Sequence, residues 1–364
     1  MSHQEHEHVD LNDVEALTKI DSEQVLGAVE DLAGQCLEAW EIALKVNDLP
    51  SAEGVDSIVV LGMGGSGVSG DVMQSVVEPR LSLPVRVIKS YGPLPEWIGR
   101  NTLVFAVSYS GSTEETVAAM TDAIDRGARI VAVSSGGPIG DLARDHGIAH
   151  VVIPKGLQPR ASLGYLTLPI FGVLERMGLL VGIADDVQET IEVLRDLSKR
   201  CDRDQPIHRN PAKEIAHKLQ HKVAVIYGAY GLTATAAMRF KCDLNEYGKV
   251  PAFWNYFPEL NHNEIVGWSD LVEVNSESFV VIALRDADEH PRISLRYDIT
   301  KHLIEQHTAD YIELKAEGRS ALARVFSLVY VTQLAAIYVG LGYGVDPGPV
   351  EVIQKLKSQL AERP

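Results

Sequence analysis

Residues Val104–Val117, Val-Phe-Ala-Val-Ser-Tyr-Ser-Gly-Ser-Thr-Glu-Glu-Thr-Val, crowd the hydroxyls of Ser108, Ser110, Ser112 and Thr113 around one glycine. A continuous apolar run precedes them and a helical pattern beginning near Thr113 follows, so the stretch reads as buried strand, turn and helix N-terminus. The first N–H groups of a helix lack intrahelical partners and its N-terminus carries roughly half a positive charge, so this turn offers donors to an anion such as a phosphate. A competing reading needs no ligand: Ser112 N-caps the helix and Glu115 completes a capping box.

A second turn, Gly62-Met-Gly-Gly-Ser-Gly67, closes the short apolar run that begins at Ser57 and holds four glycines in six positions. Glycine admits positive φ and lets a ligand approach the backbone. Gly62, Gly64 and Gly67 also fit the Gly-x-Gly-x-x-Gly of dinucleotide sites, but the next strand ends Val-Arg-Val-Ile-Lys, with no acid for a ribose. Two anion turns at strand ends of one sheet are better explained by one sugar phosphate held between them. Its ligands would be the backbone amides of Gly64, Gly65 and Ser66 and the hydroxyls of Ser108, Ser110 and Thr113.

Positioning these turns requires a sheet. Short apolar runs near Ser57–Leu61, Leu83–Ile88, Leu103–Val107, Arg129–Ser134 and Ala149–Ile153 alternate with helical stretches, which implies βαβ units and a mainly parallel sheet covered on both faces. The pattern restarts at Lys222–Gly228 and continues through Phe279–Leu284 and Tyr311–Leu314. The expectation is an α/β chain with two doubly wound, flavodoxin-like three-layer αβα domains: a helical extension over 1–45, a first domain over 46–185 holding both turns, a helical connector over 186–220, a second domain over 221–345 and a C-terminal helix over 346–364. One or two helices are expected in the extension, where Val25, Val29, Leu32, Cys36, Ala39 and Ala43 recur at helical spacing.

Composition narrows the function further. A net charge of −17 argues against broad nucleic-acid or anionic-membrane binding, which relies on clustered Lys and Arg. The three cysteines, Cys36, Cys201 and Cys242, show no metal spacing and suit a reducing compartment. No apolar run is read as reaching membrane-spanning length, and the opening Met-Ser-His-Gln-Glu-His-Glu-His is too polar for a signal peptide, so a cytoplasmic setting is expected. His3, His6 and His8 could chelate a metal, but among acids they read as a solvated tail.

Together, Gly62–Gly67 and Ser108–Thr113 resemble the turns of the sugar isomerase (SIS) domain, which hold a sugar phosphate. Three later segments, Phe240-Lys-Cys-Asp-Leu-Asn-Glu-Tyr-Gly-Lys249, Phe257-Pro-Glu-Leu-Asn-His-Asn-Glu264 and Pro159-Arg-Ala-Ser-Leu-Gly164, resemble the bifunctional phosphoglucose/phosphomannose isomerase family, over roughly Ile58 to the C-terminus. The resemblance implies reversible aldose–ketose isomerisation of hexose 6-phosphates through a cis-enediolate, with neither metal nor cofactor.

Glu246 is the expected general base. It ends a helix just before Gly248, a candidate for the left-handed C-terminal residue, and a carboxylate at the negative end of a helix is disfavoured by roughly a few tenths to 1 kcal/mol, which suits a proton acceptor. A surface pair with Lys249 is the plainer alternative. The resemblance assigns ring opening to His262, reaching across from a neighbouring subunit and so implying a homodimer, and enediolate stabilisation to Arg160. It also places a Lys near the C-terminus. Lys357, in Ile353-Gln-Lys-Leu-Lys357, matches the family's ending, while Lys355 lies four residues after Glu351 and can simply pair with it. Val350 stands where members using both epimers often carry Thr, which leaves the balance between glucose and mannose substrates open. The alternative to an enzyme is a non-catalytic sugar-phosphate-binding regulator on the same fold.

Overall fold

The computed structural model describes residues 8–362 except Leu271. His3 and His6 lie outside the described residues; no group of three or more His, Cys, Asp or Glu side chains suited to a metal gathers among those described.

Three helices open the chain, α1 (Val14–Ile20), α2 (Val25–Glu30) and α3 (Leu32–Lys45), rather than one or two. The extra break falls at Asp21–Gln24, where Asp21 accepts the N–H groups of Val25 and Leu26 and Gln24 turns left-handed at φ 54°. The expected apolar positions from Val25 to Ala43 are all buried. The first sheet follows as β1 (Ser57–Leu61), α4 (Gly64–Val77), β2 (Val85–Ile88), β3 (Thr102–Val107), α5 (Glu114–Asp125), β4 (Arg129–Ser134), α6 (Gly137–Asp145) and β5 (Ala149–Val152). Its five strands are all parallel in the order β2-β1-β3-β4-β5. β1 and β3 are buried at every position, because a parallel sheet carries helices on both faces.

α7 (Leu163–Arg176), α8 (Ile183–Arg200) and α9 (Pro211–Lys218) lead to the second sheet, formed by β6 (Val223–Ala229), α10 (Leu232–Glu246), β7 (Ala252–Phe257), α11 (Val272–Ser278), β8 (Phe279–Arg285), α12 (Pro291–Ile304) and β9 (Asp310–Lys315). Its order, β7-β6-β8-β9, repeats that of the first sheet without the last strand. β7 was not anticipated from the sequence. It is an edge strand, Ala-Phe-Trp-Asn-Tyr-Phe, whose middle residues are only partly covered, so it lacks the buried run that marks the others.

α13 (Ala321–Gly342) is the hub, packed against α8, α9 and α10. The expectation that no run reaches membrane-spanning length needs correcting here: its 22 residues are long and apolar enough by length and composition. Its most apolar window is wholly buried inside the protein, so its hydrophobicity serves the core. α14 (Glu351–Ala361) buries none of its side chains.

Candidate active site

The order 2-1-3-4-5 reverses direction between β1 and β3, and ligands of open parallel sheets bind beyond the strand ends at such a switch. Both turns sit there. At the first, α4 begins at Gly64 after Met63, and no side chain among the described residues caps its leading N–H groups. Gly64 is left-handed at φ 52°, and a Cβ on it would meet nothing within 4 Å. Gly65 is the opposite case: a Cβ there would lie 2.8 Å from the carbonyl oxygen of Pro159 and 3.3 Å from Cα of Arg160. Only glycine lets this turn lie so close to the segment carrying Arg160.

At the second turn the capping-only reading fails. α5 begins at Glu114, its N-cap is Thr113, and no side chain bonds its first N–H groups. Ser112 instead pairs its hydroxyl with that of Ser110 at 2.9 Å, and Ser108 pairs with Thr113 at 2.8 Å. The hydroxyls thus line the turn beside an uncapped helix end. Glu114 is exposed and Glu115 half-buried, both near Tyr91, whose hydroxyl is pushed up by desolvation and then by the two carboxylates. The turn is braced from behind: Gly111, at φ 71°, lies so tightly against Gly136 that a Cβ would come within 1.7 Å of that residue's carbonyl oxygen.

Tyr109 joins the parts. Its N–H donates to Ser66 Oγ at 3.2 Å, and its hydroxyl accepts the N–H of Leu157 at 2.8 Å. One buried residue, through its main chain and its hydroxyl, therefore connects the first turn, the second turn and the chain leading to Arg160. Arg160 sits in a short 3-10 turn, Pro159–Ala161, and is 5% exposed. Its carbonyl accepts from Arg239 Nη2 at 2.5 Å and from Gln333 Nε2 at 2.8 Å, which fixes its main chain to α10 and α13. Its guanidinium lies over the Tyr247 ring at 5.0 Å, donates to the carbonyls of Pro347 and Gly348, and leaves Nε buried without a hydrogen-bond partner among the described residues. Glu246 Oε2 is 3.8 Å from Arg160 Nη1. The carboxylate remains partly open to solvent, its side chain 29% exposed.

One and two turns before Glu246, Asp243 and Arg239 form a buried pair at 2.9 Å. Burial pushes the Asp243 carboxyl up to about 7 against the pull of Arg239. The backbone after α10 departs from expectation. Gly248 is not left-handed; Lys249 is, at φ 54°. Gly248 instead lets the chain pass closely, since a Cβ would lie 2.8 Å from the Leu244 carbonyl oxygen. Nor does Lys249 pair with the Glu246 carboxylate: its ammonium donates to the Glu246 main-chain carbonyl.

His262 and Lys357 are not gathered with these groups. His262 ends the 3-10 turn Glu259–His262 beyond β7, exposed, and its imidazole makes no hydrogen bond among the described residues. Lys357 is exposed on α14 and has no ion pair among the described residues, whereas Lys355 pairs with Glu351 at 3.6 Å. Val350 is the N-cap residue of α14.

Comparison with known proteins settles the kinship. Residues 54–170 match the SIS domain family and residues 208–360 the bacterial phospho-glucose isomerase C-terminal SIS domain family. A bifunctional phosphoglucose/phosphomannose isomerase of Caldicellulosiruptor bescii is 39% identical over 335 residues, covering 92% of this chain and 98% of that protein. The chain belongs to the bifunctional phosphoglucose/phosphomannose isomerase family. The Aquifex aeolicus protein of that name is 36% identical, covering 93% of this chain and 98% of its own. Among solved structures, a hypothetical protein of Thermus thermophilus superposes with a TM-score of 0.73 at 16% identity over 96% of this chain and 94% of its own, a likeness of fold.

As a member of the phosphoglucose/phosphomannose isomerase family the chain has the two parallel-sheet SIS-type domains expected. Sequence reasoning passed over Tyr109 and Gln333, whose tasks depend on contacts distant in the chain. It treated Lys249 only as a partner for Glu246. A non-glycine residue directly after Gly248 at a helix end carries no signal of a left-handed turn.

Proposed function

We propose that this protein interconverts aldose and ketose hexose 6-phosphates, glucose 6-phosphate or mannose 6-phosphate with fructose 6-phosphate, at the site built around Glu246 and Arg160. The observation that carries the proposal is the Glu246 carboxylate beside a buried guanidinium with a free Nε, packed through Gly65 against an uncapped helix end. The phosphate would be held by the amides of Gly64, Gly65 and Ser66 and the hydroxyls of Ser108, Ser110 and Thr113, in the first domain (46–185). His262 and Lys357 assist ring opening. Glu246 takes the proton from C2 of the open aldose and returns it to C1. The negative charge that develops on the enediolate oxygens faces the Arg160 guanidinium, a planar cation that stabilises it electrostatically. Anchoring a remote phosphate fixes C2 against the carboxylate, an orientation effect worth roughly several kcal/mol.

We infer further that the working unit is a homodimer in which each site receives His262 from the partner. The exposure of that histidine on its own subunit, and of Val352, Leu356 and Leu360 along α14, supports this reading. Free cysteines, two of them buried, favour a reducing, cytoplasmic setting.

A coupled assay with each hexose phosphate tests the reaction. Glu246→Gln is expected to abolish turnover while leaving phosphate-ester binding nearly intact; retained turnover would sink the assignment of the base. Mixing Glu246→Gln with His262→Ala chains, each inactive alone, should restore activity if the site is shared, and no recovery refutes the shared site. A wild-type chain that binds the sugar phosphates without turning them over is a regulator.

A further inference from the structure

Lys249 has no part in the mechanism above, yet the structure gives it an unusual place. It carries a long side chain at φ 54°, a backbone conformation that favours glycine. Its ammonium donates to the carbonyl of Glu246, to that of Pro349 at 2.6 Å and to that of Pro347 at 3.4 Å. Three acceptors match the three donors of a charged lysine. Two come from the strap that precedes α14, and the third is the main chain of the residue proposed as base.

Arg160 grips the same strap. It donates to Pro347 at 3.1 Å and to Gly348, and Gln158 Nε2 adds a bond to Gly348 at 3.1 Å. The Pro347 carbonyl is therefore shared by two cations. The strap is also internally braced, with the Gly348 N–H donating to Asp346 at 2.9 Å and Ser22 Oγ donating to the same carboxylate at 2.5 Å.

We propose that Lys249 is a positioning residue for isomerisation: its ammonium ties the end of α10, which carries Glu246, to the Pro347–Pro349 strap held by Arg160. It thereby fixes the carboxylate against the guanidinium and the root of α14 against both. It acts through these groups and touches no substrate. This rests on the isomerase reading of the site.

The charge matters because a neutral amine has only two N–H donors and would turn a lone pair toward a carbonyl. Four charged groups bear on the ammonium. Burial and then Arg160 hold it below the usual lysine range, while Glu246, Asp346 and Glu23 pull the other way. A lysine with a lowered pKa is charged below that value and loses its charge as the pH rises through it. The tether should thus fail at a lower pH than an ordinary lysine would impose. Arginine stays charged throughout that range.

The test measures kcat and KM for fructose 6-phosphate from about pH 6 to about pH 10 in wild type, Lys249→Met and Lys249→Arg. Lys249→Met should lower kcat about tenfold or more with KM within about twofold, since the phosphate turns are untouched. Lys249→Arg should recover kcat to within about threefold of wild type and move the alkaline fall in activity to higher pH. A kcat for Lys249→Met within about twofold of wild type, or an alkaline limb unmoved in Lys249→Arg, overturns the inference. If Lys249→Met does not fold, the arginine variant alone decides. An active wild type with neutral Lys249 variants refutes only this inference, whereas an inactive wild type refutes the isomerase reading beneath it as well.

Discussion

Gly65→Ala separates steric positioning from every other role of the first turn. The residue is the second of α4, so on helix propensity alone alanine would stabilise the protein by at most about 1 kcal/mol. The added Cβ, however, would lie 2.8 Å from the Pro159 oxygen, 3.2 Å from its carbonyl carbon and 3.3 Å from Cα of Arg160, all main-chain atoms. None of these can rotate away, so the turn and the Arg160 segment must separate by about 0.5 Å to reach ordinary contact. Overpacking of this kind costs about 1–3 kcal/mol, which outweighs the propensity gain and leaves a net loss of about 1 kcal/mol. A misplacement of about 1 Å can cost about a hundredfold in rate, so half of that predicts about a tenfold fall in kcat/KM. Steady-state kinetics with fructose 6-phosphate and a denaturant midpoint measure both. Gly64→Ala is the control: it meets no neighbour, but φ 52° strains it, so it should lose about 1 kcal/mol of stability while leaving the turn-to-Arg160 spacing alone. A Gly65→Ala protein more stable than wild type with unchanged kcat/KM would show that the contact with Pro159 and Arg160 does not set the position of the first turn.

Two further outcomes are expected. Ser110→Ala combined with Thr113→Ala should raise KM strongly with little change in stability, because neither hydroxyl caps α5; an unchanged KM would remove the second turn from substrate binding. Glu189 accepts the N–H groups of Arg319 at 2.7 Å and Ser320 at 2.9 Å at the start of α13. Burial would raise its pKa, but these bonds outweigh it and hold the carboxyl at about 2. A depressed carboxyl contributes stability above its ordinary pKa and loses it as the pH falls toward the folded value. Glu189→Gln should therefore cost about 1–2 kcal/mol at neutral pH, after allowing for solvent screening, and the difference should shrink in denaturation curves run from about pH 5 down to about pH 2.

The strands carrying the two anion turns were legible because a strand covered on both faces is apolar at every position: Ile58–Leu61 and Leu103–Val107 leave no other reading. β7 was not, because an edge strand follows no such rule and its Phe253 remains exposed. Glu246 was legible as the end of a helix, and Arg160 as a residue of a family motif. Their meeting at 3.8 Å was not, since it depends on Arg239 and Gln333 holding the Arg160 carbonyl from α10 and α13. The Ser112 cap failed for a related reason. Local pattern predicts a cap wherever Ser precedes a helix, whereas here Ser112 turns to Ser110 and leaves the N–H groups unbonded.

The bare face of α14 has a thermodynamic consequence. A helix of 11 residues with no buried side chain draws little packing energy from the rest of the chain, and isolated helices of that length are marginal in water. Its root is nevertheless locked at the strap that Arg160 and Lys249 hold, so the direction in which it leaves the domain is set before anything covers it. Ordering of α14 and coverage of Val352, Leu356 and Leu360 then form a single equilibrium. If a second copy supplies the cover and Lys357 serves the site, specific activity becomes a function of protein concentration: dilution unwinds the helix that brings the lysine while both domains stay folded.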